Sequence, residues 1–151
     1  MKEFKAPQQI EYNGFPSIFL AGSIDMGNSE DWQSYVTKEF KDEDVNILNP
    51  RRASWDSSWT QSFDNPQFYQ QVNWELNALE RAHVIIMNFS KDSKAPISLM
   101  ELGLFAKSGH ILVCCPDEFY RSGNVQIVCD KYEIPLYKDL NKLIERIKDE
   151  L

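Results

Sequence analysis

Short apolar runs alternate with longer amphipathic segments through most of this 151-residue chain. Each run is rich in Ile, Val, Leu and Phe, and apolar runs of this kind are typical of strands buried on both faces of a sheet. The five predicted strands cover residues 17–21, 45–48, 84–87, 110–115 and 134–137. Because a helical segment separates each strand from the next, we expect a doubly wound α/β fold with a mainly parallel five-stranded sheet. The length fits a single domain over residues 1–151.

The segments between the strands carry helix signals, with two exceptions. The predicted helices cover about 30–41, 67–81, 96–109, 119–130 and 139–151. Residues 1–16 are polar and irregular, and we expect an extended lead-in there. Residues 51–65 contain two arginines and several aromatic side chains without periodicity, which predicts a long aromatic insertion loop. Long loops inside a compact domain are more often functional than idle.

Composition and charge narrow the partners that the chain can bind. The net charge is −7 and the pI about 4.8, so the chain lacks the clustered Lys and Arg that a nucleic acid polymer requires. No apolar run approaches membrane-spanning length and no signal segment is seen, so we expect a cytoplasmic protein without membrane contact. The three cysteines, Cys114, Cys115 and Cys129, have no paired metal spacing. We interpret them as buried free thiols and expect neither a metal site nor a cofactor.

One ionisable residue stands out in the helix predicted over residues 96–109. This helix is apolar on nearly every side, and a proline at its start and Ser-Gly at its end favour these limits. A helix of this composition is normally buried between a sheet and a neighbouring element. Glu101 lies in its middle, where an ionised carboxylate is costly unless another group pairs with it or the protein uses it.

The predicted sheet places an active site beyond the carboxyl ends of its strands, where strand order reverses. These ends are Gly22-Ser23, Asn49-Pro50, Asn88-Phe89 and Pro116. Gly22 and Gly27 match only the outer glycines of a dinucleotide fingerprint, and no P-loop or G-x-S-x-G nucleophile elbow occurs. Asn88 stands where a phospho-acceptor module would carry an acid. His83 and His110 lie at strand starts, at the opposite edge, and we interpret both as structural.

Carboxylates therefore remain as the candidates for catalysis. Glu101 lies early in a helix whose N-terminus would face the strand ends, where the helix dipole favours an anion. Limited hydration in that setting suits a nucleophile that attacks an electrophilic sugar carbon. Glu75 lies on the buried side of the helix over 67–81, and two carboxylates can divide the work at a glycosidic bond. The alternative is that a buried arginine or a backbone cap satisfies each carboxylate.

Several short motifs, in order along the chain, resemble those of a known enzyme family. Residues 100–109, Met-Glu-Leu-Gly-Leu-Phe-Ala-Lys-Ser-Gly, resemble the nucleophile helix of the nucleoside 2-deoxyribosyltransferases. Residues 20–25 resemble the Gly-Ser-Ile loop of the same superfamily, which includes the 2'-deoxynucleoside 5'-monophosphate N-glycosidases. Residues 73–76, Asn-Trp-Glu-Leu, fall where the family carries a sugar-orienting acid, usually Asp. The resemblance covers about residues 17–137. It is strongest to a variant branch of the family whose members carry sequences similar to residues 49–52 and 119–125 of this chain.

This resemblance implies a flavodoxin-like fold and a covalent mechanism. Glu101 would attack C1' of a 2'-deoxyribonucleoside, release the base and leave a deoxyribosyl-enzyme whose sugar a second nucleobase accepts. Water would accept the sugar in the alternative, a 2'-deoxynucleoside 5'-monophosphate N-glycosidase. Glu75 would hold a sugar hydroxyl or shuttle a proton. The protein would then be a pentosyltransferase of nucleotide salvage, and the alternative from another class is a non-catalytic nucleotide-binding module.

The loop after the first strand is predicted to contact the sugar and the base. By the resemblance, Gly22 and Ser23 would offer backbone and hydroxyl donors near the sugar 5' end. Asp25 would read a base edge or a hydroxyl, or would be solvated. Asn88, at the end of the third strand, joins them as a substrate-binding candidate.

The insertion loop and the fourth helix supply the remaining candidates. Arg51 and Arg52 would pair with a 5'-phosphate, or one of them would neutralise Glu75 or Asp25. Trp55 would stack on the base, because a flat ring recognises any base face, or the loop would simply pack. The resemblance also implies a homo-oligomer, of two or more copies, in which Asn124 completes the pocket of a neighbouring subunit.

Two positions depart from the family pattern. Glu75 replaces the usual Asp and lengthens the reach of the carboxylate by one methylene. The transferases of known pattern close their pocket with an aromatic C-terminus, whereas this chain ends Lys-Asp-Glu-Leu.

Overall fold

The computed structural model describes residues 1–25 and 30–151, and in these ranges it contains six strands and five helices. The strands are β1 Lys2–Lys5, β2 Ser17–Gly22, β3 Asn46–Asn49, β4 Val84–Asn88, β5 Ile111–Cys114 and β6 Leu136–Tyr137. The helices are α1 Trp32–Glu39, α2 Pro66–Arg81, α3 Pro96–Phe105, α4 Ser122–Lys131 and α5 Leu140–Lys148. Residues 51–65 form the predicted loop without regular structure.

The strands form a sheet in the order β1-β3-β2-β4-β5-β6. The pairings β1–β3, β2–β3, β4–β5 and β5–β6 are all parallel. If β1 is set aside and the others are renumbered, the order is 2-1-3-4-5, the flavodoxin-like arrangement. The doubly wound, flavodoxin-like class is therefore confirmed, and the prediction of five strands was one short.

The additional strand is β1, which lies within the expected lead-in of residues 1–16. It pairs with β3 in register, from Lys2 opposite Asn46 to Lys5 opposite Asn49. Phe4 alone among its four residues is buried. A single inward side chain on a charged edge strand produces no apolar run, so hydrophobic patterning does not reveal such a strand.

The chain packs as two compact units, each with its own buried side chains. The first unit comprises residues 1–20 and 31–83. Its largest fully buried side chains are Phe4, Ile18, Phe19, Leu20, Phe40, Ile47, Leu48 and Leu79. The second unit comprises residues 21–30 and 84–151. Its core includes Ile85, Ile86, Met87, Phe89, Val113, Phe119, Val125, Leu143 and Ile144.

Helix α3 is buried on one face only, whereas its apolar composition predicted a helix buried between a sheet and a neighbouring element. Its buried residues are Ser98, Glu101 and Leu102. Three large apolar side chains are more than half exposed: Ile97 at 56%, Met100 at 53% and Leu104 at 61%. Composition shows that the helix is apolar all round, but it cannot show which of its faces a second element covers.

The three cysteines are free and buried, as the sequence predicts. Burial raises the pKa of the Cys114 thiol to about 11, of Cys115 to about 12 and of Cys129 to about 11. These thiols therefore stay protonated near neutral pH and behave as small apolar side chains. Within residues 1–25 and 30–151, none of the helices has the length and apolar character needed to span a bilayer.

Gly22 ends β2 and lies directly against the main chain of Asn88, the last residue of β4. Its φ is +140°, a value that side chains other than glycine rarely adopt. A Cβ added to its backbone would lie 2.1 Å from the Asn88 carbonyl oxygen. The next residue, Ser23, donates its main-chain N–H to the same carbonyl at 3.0 Å. Only glycine allows this approach, so Gly22 determines where the loop after β2 begins.

Gly22→Ala should lower the free energy of unfolding by more than about 3 kcal/mol, because a main-chain clash adds to the strain of the positive φ. Chemical denaturation of the purified variant measures this loss. Gly109→Ala is the matched control, since Gly109 also has a positive φ, +81°, but no atom lies within 4 Å of an added Cβ. The control should lose about 1–2 kcal/mol from backbone strain alone. Equal losses in the two variants would contradict the importance of the Asn88 contact.

Candidate active site

Glu101 is buried in the second turn of α3, with 5% of its surface exposed. The helix begins at Pro96, and the preceding Ala95 has a left-handed φ of 43° and provides no side-chain cap. The first N–H groups of such a helix lack an acceptor at the N-cap, and the helix dipole favours an anion at that end. The prediction that this acid is buried in the helix is confirmed.

Four sequence-predicted residues come together where β2 and β4 end, all within the second unit. Gly22 contacts the main chain of Asn88, as described above, and Ser23 is fully buried beside it. Ser23 Oγ accepts a hydrogen bond from the main-chain N–H of Ser90 at 3.1 Å. Asp25 is exposed, has a φ of 49°, and accepts a hydrogen bond from Ser93 Oγ at 2.8 Å. The loops after β2 and β4 are therefore joined by serine hydroxyls.

The side chain of Asn88 is buried, with 8% exposed. Its main-chain carbonyl accepts from Ser23, but no side-chain hydrogen bond of Asn88 to another described residue is present. A buried amide of this kind retains donors and an acceptor for another molecule.

A groove of about 310 Å³ lies between α3 and α4 in the second unit. Its walls are mostly apolar, and its lining residues are Leu99, Leu102, Gly103, Arg121, Asn124, Val125 and Val128. Asn124 is exposed on α4 and faces this groove together with Arg121. The groove therefore combines an apolar wall with two polar side chains that can donate hydrogen bonds.

Glu75 lies on the inner face of α2, in the first unit. This helix begins as predicted, since Asn65 Oδ1 accepts from the N–H of Phe68 at 3.0 Å and Pro66 takes the first helical position. Glu75 Oε1 accepts a hydrogen bond from Gln71 Nε2 at 2.6 Å. Its side chain keeps some exposed surface, yet burial of the carboxyl group raises the pKa of Glu75 to about 7, while the Gln71 hydrogen bond acts in the opposite direction.

No ion pair joins Glu75 to any described residue. Arg51 instead interacts with α1 and the residue before it: its Nε lies 3.8 Å from Asp31 Oδ1, and its Nη1 donates to Gln33 Oε1 at 3.4 Å. The alternative in which an arginine neutralises Glu75 is therefore wrong. A carboxyl group with a pKa near 7 and no cation beside it is suited to binding and releasing a proton at neutral pH.

The insertion loop holds an aromatic cluster built on Trp59. The indole of Trp55 packs edge-on against Trp59 with ring centroids 5.1 Å apart, and the guanidinium of Arg52 lies 5.0 Å from the Trp59 ring centroid. Trp55 Nε1 and Arg52 Nη1 are buried without a hydrogen-bond partner among the described residues. The loop is therefore packed on itself and still offers two unsatisfied donors.

Sequence reasoning missed Gln71, Ser93 and Ser90, which hold the candidate residues in place. Gln71 lies four residues before Glu75 on α2, and side chains at this spacing meet on a helix surface. That spacing is the signal that could have identified it. No comparable signal marks the serines, because the loops that bring them to Ser23 and Asp25 lie far apart in sequence.

Among residues 1–25 and 30–151, no group of three or more His, Cys, Asp or Glu side chains is placed to hold a metal ion. The candidate residues instead present carboxylates, amides, hydroxyls and main-chain donors. Groups of these kinds can bind a sugar and a base and can attack a carbon centre.

Comparison with known proteins agrees with the fold and the motifs. No curated protein matches this sequence. Among solved structures, the crystal structure of a conserved protein from Enterococcus faecalis V583 is similar, with a TM-score of 0.63, 13% identity, and coverage of 91% of this chain and 99% of that chain. At that identity the likeness shows the fold alone. The family described as "Nucleoside 2-deoxyribosyltransferase like" matches residues 15–119. Because this match covers more than half of the sequence, the chain belongs to the nucleoside 2-deoxyribosyltransferase-like family.

Proposed function

We propose that the protein cleaves the N-glycosidic bond of 2'-deoxyribonucleosides and transfers the sugar to another nucleobase. A carboxylate oxygen of Glu101 forms a bond to C1' as the C1'–N bond breaks. The bonding electrons leave with the base, which takes a proton from protonated Glu75 or from water. A ring nitrogen of the second base then attacks C1', releases Glu101 and loses a proton. The proposed setting is nucleotide salvage in the cytoplasm, a compartment that keeps free thiols reduced.

The burial of Glu101 in α3 is the observation that carries this proposal. Glu101 has 5% of its surface exposed and lies on a mostly apolar helix, in a chain whose family is named for deoxyribosyl transfer. Burying a carboxylate costs more free energy than burying an apolar side chain of the same size, and a role in the reaction gives a reason to keep it there. Limited hydration strengthens a carboxylate nucleophile toward a carbon centre.

The remaining candidates receive roles in the same reaction. Gly22, Ser23 and Asn88 are proposed to hold the sugar, and Asp25 to contact a base edge or a hydroxyl. Trp55 and Arg51 are proposed to contact the base or a phosphate. Glu75 is proposed to orient a sugar hydroxyl or to move a proton, which its pKa of about 7 supports.

Replacement of the proposed nucleophile should abolish transfer. Glu101→Gln keeps the shape of the side chain but cannot form the glycosyl ester, so conversion of deoxyadenosine and free cytosine to deoxycytidine and adenine should fall at least about 1,000-fold. Chromatography of the products measures the rate. Mass spectrometry of the intact wild-type protein should show one added deoxyribosyl group that is absent from the variant. Full activity in Glu101→Gln would rule out the covalent mechanism.

Glu75→Gln should stabilise the fold while it reduces activity. The pKa of Glu75 is raised from 4.5 to about 7, so the folded state holds the proton more tightly than the unfolded state does, and stability decreases as pH rises through this interval. Above pH 7 the variant should therefore be more stable than the wild type by at most about 3 kcal/mol, and below pH 4.5 the two should agree.

Denaturation curves at pH 5 and pH 8 measure this difference. Glu80→Gln is the control, because Glu80 is an exposed acid on the same helix and should change neither stability nor activity. A Glu75→Gln variant that is less stable than the wild type at pH 8 would contradict the raised pKa of Glu75, and full activity in this variant would contradict its proposed role in the reaction.

The second candidate function is hydrolysis of 2'-deoxynucleoside 5'-monophosphates. The observation that favours it is the pair of buried, unsatisfied donors on Arg52 and Trp55, next to Arg51 in the insertion loop. Guanidinium and indole N–H groups suit phosphate oxygens. Deoxyribose 5-phosphate released from a nucleotide would identify this activity, and tight nucleotide binding without turnover would identify a non-catalytic binding module.

We also propose that the protein assembles as a homo-oligomer through α3 and α4. The exposed apolar residues Ile97, Met100 and Leu104 on α3 and Ile127 on α4 lie on the two helices that form the groove containing Asn124. Monomeric proteins rarely expose large contiguous apolar patches, whereas interfaces between subunits bury them.

Ile127→Lys should convert the oligomer to a monomer, because a lysine ammonium would be desolvated in an apolar interface. Ile127 is 71% exposed in the single chain, so the substitution should leave the fold of the chain intact. Light scattering after size-exclusion chromatography measures the mass. Phe63→Lys, at an 80% exposed loop residue, is the control and should keep the wild-type mass. A monomeric wild-type protein at micromolar concentration would contradict the proposal.

A further inference from the structure

Gln71 is a buried amide on α2 that joins Glu75 to the chain just before the insertion loop. Its side chain is 5% exposed. Its Nε2 donates to the main-chain carbonyl of Pro50 at 2.8 Å and to Glu75 Oε1 at 2.6 Å. Both hydrogens of the amide nitrogen are therefore used, one on the backbone and one on the carboxylate.

The Pro50 carbonyl determines which way this amide points. A carbonyl oxygen only accepts hydrogen bonds, so rotating the amide by 180° would place Gln71 Oε1 against the oxygen of Pro50. The observed orientation presents a donor to Glu75 and holds its carboxylate in one position. Glu75 forms no ion pair among the described residues, so no other charged group holds its carboxylate in place.

The same orientation leaves Gln71 Oε1 without a partner. It is a buried acceptor that makes no hydrogen bond within the described residues. Leaving such an atom unsatisfied is costly, and native proteins rarely do so except where a water or a ligand supplies the missing donor. The adjacent Glu75 carboxylate accepts hydrogen bonds when it is ionised. Gln71 Oε1 and the Glu75 carboxylate therefore lie side by side as hydrogen-bond acceptors, and one N–H or O–H donor placed between them would satisfy both.

We propose that Gln71 positions Glu75 and that its Oε1, beside the Glu75 carboxylate, accepts a hydrogen bond from a sugar hydroxyl of the ligand. This inference rests on the proposed function, because a nucleoside sugar supplies the hydroxyl. A hydroxyl can donate one hydrogen and settle between two acceptor groups, which an aromatic base face cannot do. Gln71 is a positioning and binding residue in this scheme and does not touch the bond that breaks.

Binding is measured by calorimetry in Glu101→Gln protein, in which the proposed turnover is blocked. The ligands are a 2'-deoxynucleoside and its 2',3'-dideoxy and 2',5'-dideoxy analogues, which each lack one of the two remaining hydroxyls. Gln71→Met should weaken binding of the 2'-deoxynucleoside about tenfold, the loss expected for one hydrogen bond to a buried acceptor. For one of the two analogues, the same substitution should change the dissociation constant less than about twofold, because that analogue already lacks the hydroxyl that donates to Gln71 Oε1.

Gln70→Met is the matched control, because Gln70 is an exposed glutamine on the same helix, and it should bind all three ligands like the parent protein. Gln71→Leu repeats the measurement if the methionine variant does not fold. An equal loss for all three ligands would overturn the hydroxyl contact and leave only a packing role. Absence of binding of any of the three ligands to the parent protein would overturn it as well.

Positioning of Glu75 has a separate readout in otherwise wild-type protein. The Gln71 hydrogen bond lowers the pKa of Glu75, so its removal should move the Glu75-dependent limb of the pH–rate profile to higher pH. An unmoved limb in Gln71→Met would overturn the positioning role. Hydroxyl-dependent binding without any turnover in the wild type would support the Gln71 contact while it refutes the proposed transfer reaction, so the two failures are distinguishable.

Discussion

The contact between Gly22 and the main chain of Asn88 is the constraint on which the polar end of the second unit depends. Because Gly22 has no Cβ, the Asn88 carbonyl can accept a hydrogen bond from the N–H of Ser23. This places the Ser23 hydroxyl within hydrogen-bond distance of the N–H of Ser90. Two loops from distant parts of the chain are thereby joined by main-chain and hydroxyl groups. Buried serines of this kind satisfy backbone groups that strand pairing no longer reaches.

Segments with strong local signals were predictable from the sequence. Asn65 and Pro66 mark the start of α2, and the apolar runs over β4 and β5 are enough by themselves to predict these two strands. Strand β1 has only Phe4 as an inward apolar side chain, so its pairing depends on long-range main-chain hydrogen bonds. For the candidate site, the sequence shows that Glu101 lies on an apolar helix, but it does not show which face of that helix is buried. The fixed amide of Gln71 could not be predicted either, because the Pro50 carbonyl that orients it is 21 residues away.

Glu75 illustrates how a fold tolerates a group that opposes its stability. Glu75 has a donor but no cation, and its raised pKa means that ionising it at neutral pH weakens the folded state. Proteins keep such groups where chemistry or binding requires them, at a cost that the rest of the core must offset.

The side chain of Asn49 joins two segments of the first unit by hydrogen bonds. Its Nδ2 donates to Glu3 Oε1 at 2.9 Å, and its Oδ1 accepts from the N–H of Arg51 at 3.0 Å. One amide thus couples the edge strand β1 to the residue that opens the insertion loop. Replacing Glu3 would therefore remove one of the two hydrogen bonds of the Asn49 amide, whose other bond holds the main chain of Arg51 at the start of the insertion loop.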